Sequence, residues 1–468
     1  MLPYFPKQTA NRAIVIYLIS LGLVSVAFFR YLMKVEFMLL GLASVAAFFL
    51  LTSNWSKYWQ VLSEKRFLRQ LFTVAVIVRL VWVVFSYFYY VAQTGIPFEF
   101  GAADSTGYHA EGEGFAELPW ANVLDYYFGS GFHGFSDVGY PLYLTFVYKI
   151  FGPVIIIPRI LKALMGAYMC ILIYRLCNRT FGEATARLAS IMCVLMPNLI
   201  IYCGYHLKET EMLFLSVLFL DRADVLIRSH KTTFWQVLIP SLLALSLFFF
   251  RTVLGAAAAF SLATAVLFSN SPSMNRGLKR VALVGWGLLC VLVAGGGTLM
   301  TEIEGYWEDR DENVSQKRYE QTSRGNQWAK YATGSVMAPM VFVLPFSTMV
   351  NVDEQYGQQE KNGGNYVRNF MGIFALLAIY EAFRRKKWRD FSLIGSFVIA
   401  YLGVVSLSGF SNSERFLLPG LPCLIMMWAY GVATLRPQTI KWVPYWSFVV
   451  LLMEVAWAYF KLGSRGLF

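Results

Sequence analysis

Apolar runs of about 20 residues recur along this chain of 468 residues. A helix of that length crosses the hydrocarbon core of a bilayer. Only 15% of the residues are charged and 57% are hydrophobic, whereas a soluble domain carries about 25% charged residues. These proportions exclude a cytosolic enzyme, a secreted domain and a disordered chain. Lipid offers no partner to an open backbone group, so the sequence predicts an all-α, polytopic integral membrane protein.

The apolar runs predict about 13 transmembrane helices. They cover, approximately, residues 13–31, 36–53, 71–93, 154–175, 184–203, 210–227, 234–250, 252–269, 281–300, 366–383, 391–408, 415–434 and 443–460.

Basic clusters follow every second predicted span. The largest is the RRKKWR segment at 384–389, and others lie at 57–69, 175–187, 222–231, 276–280 and 436–441. All six fall on one side if the N-terminus is cytoplasmic. We read the net charge of +12 as cytoplasmic anchor charge, and we expect no nucleic-acid partner. This pattern suggests a bacterial inner (cytoplasmic) membrane, with membrane lipids around the chain.

Three segments fall on the opposite, outer side. They are residues 94–139, which contain seven acidic residues and no Lys or Arg, a short turn at 205–211, and the long stretch 301–365. Residues 140–152 predict an amphipathic helix on the outer surface. The third segment contains an apolar stretch at 335–350, which we read as an interfacial or re-entrant helix. The predicted organisation is therefore two extra N-terminal transmembrane helices (1–70), a catalytic transmembrane core (71–300) with an outer loop (94–153), a second outer loop (301–365) and C-terminal transmembrane helices (366–468).

Two outer segments carry candidate chemistry. Asp104 lies in a Gly-rich loop that contains no Lys or Arg, with Tyr108 and His109 close by in the sequence. A carboxylate in such a loop can serve as a general base. The alternative is an aspartate that caps the next helix. Lys208 and Glu209 lie in the outer turn HLKETE. Glu209 either faces the same cavity as Asp104 or stabilises a helix N-terminus through the helix dipole.

Arginines at outer ends of spans are a third signal. Arg251 interrupts an apolar run, Arg415 opens a late span, and Arg159 lies near the start of another. A guanidinium binds phosphate in bidentate fashion, and a phosphate at a membrane surface belongs to a lipid. The alternative is that each arginine merely extends its charge to the interface as an anchor.

The sequence contains no recognisable metal motif. The four histidines lack metal-ligand spacing, although Glu111 and Glu113 together with Asp104 leave a divalent cation open. The six cysteines form no CxxC pair, and we read them as small core residues.

Five segments together resemble GT-C glycosyltransferases, such as protein O-mannosyltransferases and the aminoarabinose transferases of lipid A. The segments are DSTGYHAEGEGFA, GYPLYLTFVYKIFG, RILKALMGAYMCILIYRLCNRTFG, MPNLIIYCGYHLKETE and ERFLLPGLPCLIMMWAYG. The resemblance extends over about residues 71–435, and it implies a GT-C-like core with amphipathic helices on the outer side.

The resemblance implies transfer of a sugar from a polyprenyl-phosphate donor to a glycan, lipid or protein acceptor on the outer, periplasmic face. It implies that Asp104 is the catalytic base, that Glu209 opens a later span, and that Arg415 and Arg251 contact the donor phosphate. Ser105 and Thr106 stand where some members carry further acidic residues, which leaves metal dependence open. A polymerase or ligase of lipid-linked glycans is the alternative, followed by a transporter or flippase.

Overall fold

The computed structural model describes residues 4–129, 137–269 except 230 and 232, the single positions 277 and 285, 340–407 except 353 and 354, and 413–467. The regular elements in these ranges are helices, and no β-strand is present there. A single bridge pairs Leu32 with Val350. The prediction of an all-α chain is therefore confirmed for the described residues.

The helices are named here in chain order. They are α1 (Lys7–Ala27), α2 (Val35–Val61), α3 (Glu64–Thr94), α4 (Ala103–Ala116), α5 (Trp120–Phe128), α6 (Gly139–Phe151), α7 (Ile156–Phe181), α8 (Glu183–Leu195), α9 (Pro197–Gly204), α10 (Glu209–Arg228), α11 (Phe234–Phe250), α12 (Thr252–Phe268), α13 (Tyr356–Glu360), α14 (Asn362–Arg384), α15 (Ser392–Leu407), α16 (Glu414–Ala433) and α17 (Pro437–Gly463).

Seven of these helices are long and apolar enough to cross a membrane: α1, α2, α3, α7, α14, α16 and α17. The bent pair α8 and α9 raises this number to eight if it forms one span. Helices α11, α12 and α15 are apolar but shorter. Long apolar helices fit an integral membrane protein, whereas the total of about 13 spans stays a prediction. The predicted run 281–300 lies outside the described residues except for position 285.

Helix α16 occupies the centre of the bundle. Its apolar stretch is 94% buried, while those of α1, α2, α3 and α17 are 28–33% buried. Peripheral helices turn large apolar side chains outward, among them Val26, Val81 and Phe88. Close packing of α16 against α14 explains why residue 431 is a glycine. A Cβ at Gly431 would lie 2.0 Å from the backbone oxygen of Phe374 in α14. The surface that remains apolar is the one that lipid would cover.

Proline divides the predicted span 184–203. Pro197 begins α9, and the axes of α8 and α9 differ by 43°. Proline has no N–H and therefore leaves the carbonyl four residues earlier without its helical donor. That carbonyl belongs to Cys193, and its substitute donor is described below.

The basic segments that the structure describes gather at one end of the bundle. Arg179 at the end of α7 pairs with Asp224 near the end of α10 at 2.6 Å. Arg385 and Arg436, which lie after α14 and before α17, both pair with Glu381, at 2.9 and 3.3 Å. Helices that alternate in direction bring these loops together, as the predicted topology requires. The opposite end, called the acidic end below, carries α4, α5 and α6. The boundaries assigned to the four segments of the chain stay predictions.

Two outer segments differ from expectation. Residues 94–139, read as a loop, contain α4 and α5. Conversely, residues 340–350 of the apolar stretch 335–350 have a 3-10 start and turns but no α-helix, while residues 335–339 lie outside the described residues. The described part is buried against protein, as expected. Asn369 of α14 donates from Nδ2 to the carbonyls of Val343 and Pro345 at 2.6 and 2.9 Å, which satisfies backbone groups that a helix would have paired internally.

Candidate functional site

Three helices begin next to one another at the acidic end. Asp104 lies in the first turn of α4, Glu209 is the first residue of α10, and Arg415 lies in the first turn of α16. Positively polarised helix N-termini favour carboxylates at such positions. All eight residues singled out from the sequence lie at this end of the bundle, and they fall into two adjoining clusters.

Arg415 is the centre of the first cluster. Its Nη1 contacts Oδ2 of Asp104, and its Nε contacts Oε1 of Glu209. The Glu209 side chain is fully buried, that of Arg415 is 22% exposed, and that of Asp104 is 55% exposed. One guanidinium therefore joins a buried carboxylate to a carboxylate that is open to the surroundings.

Arg251 approaches the same buried carboxylate from another direction. It lies in the extended break between α11 and α12, with φ −164° and ψ 117°. Its Nη2 is 4.0 Å from Oε1 of Glu209, and its Nη1 donates to the Tyr401 hydroxyl at 3.0 Å. The guanidinium also lies over the Phe416 ring, 4.4 Å from its centroid. The break keeps this arginine out of both helices and aims it at the site.

Lys208 and Tyr108 border the first cluster. Lys208 donates to the carbonyl of Phe250 at 2.9 Å and contacts the carboxylate of Asp137. The Tyr108 hydroxyl is 3.5 Å from Oδ1 of Asp137. Burial raises the pKa of Tyr108 to about 12, and the nearby charge of Arg415 opposes this effect. Tyr108 therefore stays a neutral hydroxyl that can donate or accept a hydrogen bond.

His109 belongs to the second cluster. The Tyr148 hydroxyl lies between Nδ1 of His109 and Nε2 of His206, at 2.8 and 3.2 Å. Burial, assisted by the positive charge of Lys162, lowers the pKa of His206 well below its usual range. Since His206 stays neutral, this group serves to hold α4 against the turn that precedes Glu209.

Arg159 is fully buried beside the second cluster. Its Nη2 donates to the carbonyl of Pro97. Glu99 accepts from the Ser105 hydroxyl and from the backbone N–H of His206, the latter at 3.2 Å. Ser105 directly follows Asp104, so these contacts fix the start of α4. The described contacts of Arg159 are with residues that position the site.

A third polar group, centred on Glu414, was not predicted from the sequence. Glu414 accepts from Nδ2 of Asn198 at 2.6 Å and from the Tyr202 hydroxyl at 3.0 Å, and it pairs with Lys361 at 3.1 Å. Its neighbour Arg415 belongs to the first cluster, so the first turn of α16 carries both. A lysine at the outer end of a span is the available signal, because it opposes the usual bias of basic residues towards the cytoplasm.

Glu360 lies next to that group. The hydroxyls of Tyr90 and Tyr205 donate to its two carboxylate oxygens, at 2.5 and 2.8 Å. Burial raises the pKa of Glu360 to about 7, although the two hydroxyl donors work in the opposite direction. This carboxyl group therefore titrates near neutral pH.

The acidic residues that left a divalent cation open take separate partners. Glu111 accepts from the Tyr127 hydroxyl, Glu113 lies 3.8 Å from His109, and Asp104 pairs with Arg415. Across the described ranges, no group of three or more His, Cys, Asp or Glu side chains comes together that could hold a metal ion.

In the first cluster, the guanidinium groups of Arg415 and Arg251 can bind an anion, and the exposed carboxylate of Asp104 can accept a proton. The Tyr108 hydroxyl at its border can form hydrogen bonds. Within the described part of the chain, Oε2 of Glu209 also has no hydrogen-bond partner. No known protein-family model matches the chain, and a search of curated proteins finds no significant relative. The resemblance to GT-C glycosyltransferases therefore stays a prediction, and the geometry supplies the argument that follows.

Proposed function

We propose that the protein is a membrane glycosyltransferase that moves a sugar from a polyprenyl-phosphate donor to an acceptor, by inversion at the anomeric carbon. The observation that carries the proposal is the position of Arg415, which joins the exposed Asp104 to the buried Glu209 beside a second guanidinium, that of Arg251. Arg415 and Arg251 bind the donor phosphate, and Asp104 takes the proton from the acceptor.

The resting ion pair suggests how the two steps are ordered. A donor phosphate competes with Asp104 for Nη1 of Arg415, because both are oxyanions that bind a guanidinium. Glu209 holds Arg415 from the buried side, so the arginine stays in place when Asp104 leaves it. The released carboxylate then faces the acceptor, and the base becomes available when the donor is bound.

During transfer, the acceptor oxygen loses its proton to Asp104 and attacks the anomeric carbon while the bond to the phosphate oxygen breaks. Negative charge grows on the departing polyprenyl phosphate. Fixed cations aimed at a developing charge are an effective source of rate enhancement. Arg251 and Arg415 supply those cations, while the Tyr108 hydroxyl is available to sugar hydroxyl groups. A single displacement with one base inverts the configuration.

This proposal includes a GT-C-like core, a bacterial inner membrane and a site that faces the periplasm. The basic loops that the structure describes support that orientation through the positive-inside bias, since they lie at the end of the bundle opposite Asp104.

The test uses the full chain in lipid nanodiscs with polyprenyl-phosphate sugars, and it measures release of polyprenyl phosphate. Asp104→Asn should lower turnover about 100-fold or more, the lower end of what a general base contributes, while donor binding is retained. Asp125→Asn is the matched control, since Asp125 is exposed in α5 of the same outer segment and should leave turnover unchanged. Full turnover by Asp104→Asn would refute the assigned base.

Other outcomes separate the alternatives. Turnover only with an oligosaccharide on a polyprenyl pyrophosphate would indicate a polymerase or ligase of lipid-linked glycans. Movement of a lipid-linked sugar across the bilayer without bond cleavage would indicate a flippase.

A further inference from the structure

Arg79 is a buried charge that the proposed transferase does not use. It lies near the middle of α3 and is fully buried. A cation at that depth of a span is costly, and it points to a function together with a partner. No carboxylate forms an ion pair with Arg79 in the part of the chain that the structure describes.

Hydrogen bonding explains part of this placement. Nη2 of Arg79 donates to the carbonyl of Cys193 at 3.2 Å, which is the carbonyl that Pro197 deprives of its helical donor. Nη1 lies 3.3 Å from the carbonyl of Ala75. The C-terminal end of α8 also contributes the negative end of its dipole. Nε of Arg79 has no hydrogen-bond partner among the described residues.

Thiols surround the rest of the guanidinium. Sγ of Cys170 in α7 lies 3.7 Å from Nη2 of Arg79, and Sγ of Cys193 in α8 lies 3.5 Å from Sγ of Cys170. Both cysteines are fully buried. Cys203 completes the group, since both its sulfur and Nε of Arg79 border Gly166. A nearby cation favours the thiolate form of a cysteine over the thiol. A thiolate at Cys170 would therefore balance the positive charge of Arg79.

We propose that Cys170 and Cys193 form a redox site inside the bundle, in which Arg79 stabilises the thiolate of Cys170 and the pair closes to a disulfide by exchange with a small apolar disulfide. The site links α7 to α8. Closure fixes α7, which begins near Arg159, against α8, which leads through α9 to the turn before Glu209. This inference stands independently of the proposed transferase activity.

The exchange proceeds in two balanced steps. The Cys170 thiolate attacks one sulfur of the small disulfide, which forms a mixed disulfide and releases one small thiolate. The Cys193 sulfur loses its proton to the released thiolate and attacks the Cys170 sulfur, which expels the second small thiolate. The cysteine pair is oxidised by two electrons, and the small disulfide is reduced to one thiol and one thiolate. That thiolate takes a proton from water, which balances the proton that Cys170 gave up when its thiolate formed.

The test treats the full chain in nanodiscs with 2,2′-dithiodipyridine, follows thiopyridone release by absorbance, and maps the products by peptide mass spectrometry without reduction. We expect a peptide that links Cys170 to Cys193 and the release of two thiopyridones for the pair. Cys177 and Cys423, which are also buried but form no hydrogen bond with Arg79, are internal controls and should react more slowly. Absence of the linked peptide would overturn the proposal.

Variants test the part played by the charge. Arg79→Met should slow closure about tenfold or more, while Arg79→Lys should retain most of the rate. Closure of Arg79→Met at the rate of the unaltered protein would overturn the role of Arg79.

A second comparison keeps Arg79 intact. Cys170 in the Cys193→Ser variant should react with the apolar thiosulfonate methyl methanethiosulfonate about tenfold faster than Cys193 in the Cys170→Ser variant. Equal rates would refute the assignment of the thiolate to Cys170, even if Arg79→Met fails to fold.

Discussion

The contact between Glu209 and Arg415 can be tested without any substrate. Glu209 is fully buried and Arg415 is 22% exposed. Removing one partner of a buried pair costs about 3–5 kcal/mol, and the partial exposure of Arg415 reduces this figure. We expect Glu209→Gln and Arg415→Met each to lower the free energy of unfolding by about 2–3 kcal/mol. The double variant should cost at least about 1 kcal/mol less than the sum, because neither partner is then left unpaired.

The assay is reversible unfolding in bicelles by increasing the mole fraction of dodecyl sulfate, with the four proteins of the double-mutant cycle compared at one lipid composition. Arg179→Met combined with Glu209→Gln is the matched control. Arg179 pairs with Asp221 and Asp224 at the basic end, and distant changes add within about 0.5 kcal/mol. Additivity in the Glu209 and Arg415 cycle would refute the buried pair.

Two further predictions concern titration and packing. Because the pKa of Glu360 is raised from 4.5 to about 7, the folded state holds an extra proton between these values, so stability should fall as pH rises from about 5 to 7. Glu360→Gln should flatten that part of the stability curve, and an unchanged slope would contradict the assignment. Gly431→Ala should cost about 3 kcal/mol in the same unfolding assay, since its Cβ would lie 2.0 Å from the backbone oxygen of Phe374. At Gly403 an added Cβ would meet no other described atom within 4 Å beyond its own helix backbone. Gly403→Ala should therefore be neutral or stabilising by up to about 1 kcal/mol, and equal losses at the two glycines would contradict the close helix contact.

The end of the bundle at which the site lies could be predicted from charge. Once the basic loops fix the direction of each helix, Asp104, Glu209 and Arg415 must lie at the opposite end. The contacts between them were beyond the sequence, because Arg415 lies 311 residues from Asp104 and no periodic pattern relates the two. Arg159 illustrates the limit, since its location at that end was expected but its burial beside Glu99 was not.

Apolarity alone gave a wrong prediction for the stretch 335–350, of which the structure describes 340–350. A hydrophobic run of that length predicts a helix, but Pro345 lies within it, and proline interrupts helices. The segment is stable in another form because Asn369, on a distant helix, satisfies its carbonyls. Pro197 likewise interrupts the predicted span 184–203, where it lies at the 43° bend between α8 and α9. Both prolines can be read from the sequence. Their stabilising partners, Asn369 for the first and Arg79 for the second, lie far along the chain and could not be predicted from it.

The first turn of α16 has a consequence for how the protein would respond to an occupant. Glu414 and Arg415 are consecutive, and they contact different groups: Lys361 beside α14 on one side and Glu209 of α10 on the other. Both residues belong to one helical turn, so an anion that replaces Asp104 at Arg415 changes the force on the same turn that holds the Glu414 carboxylate at Lys361. By thermodynamic reciprocity, a change that strengthens or weakens the Lys361 pair must alter the affinity for that anion by the same factor. This turn of helix is thus a coupling element, through which the contact between Arg415 and Asp104 becomes sensitive to the residues that lead into α14.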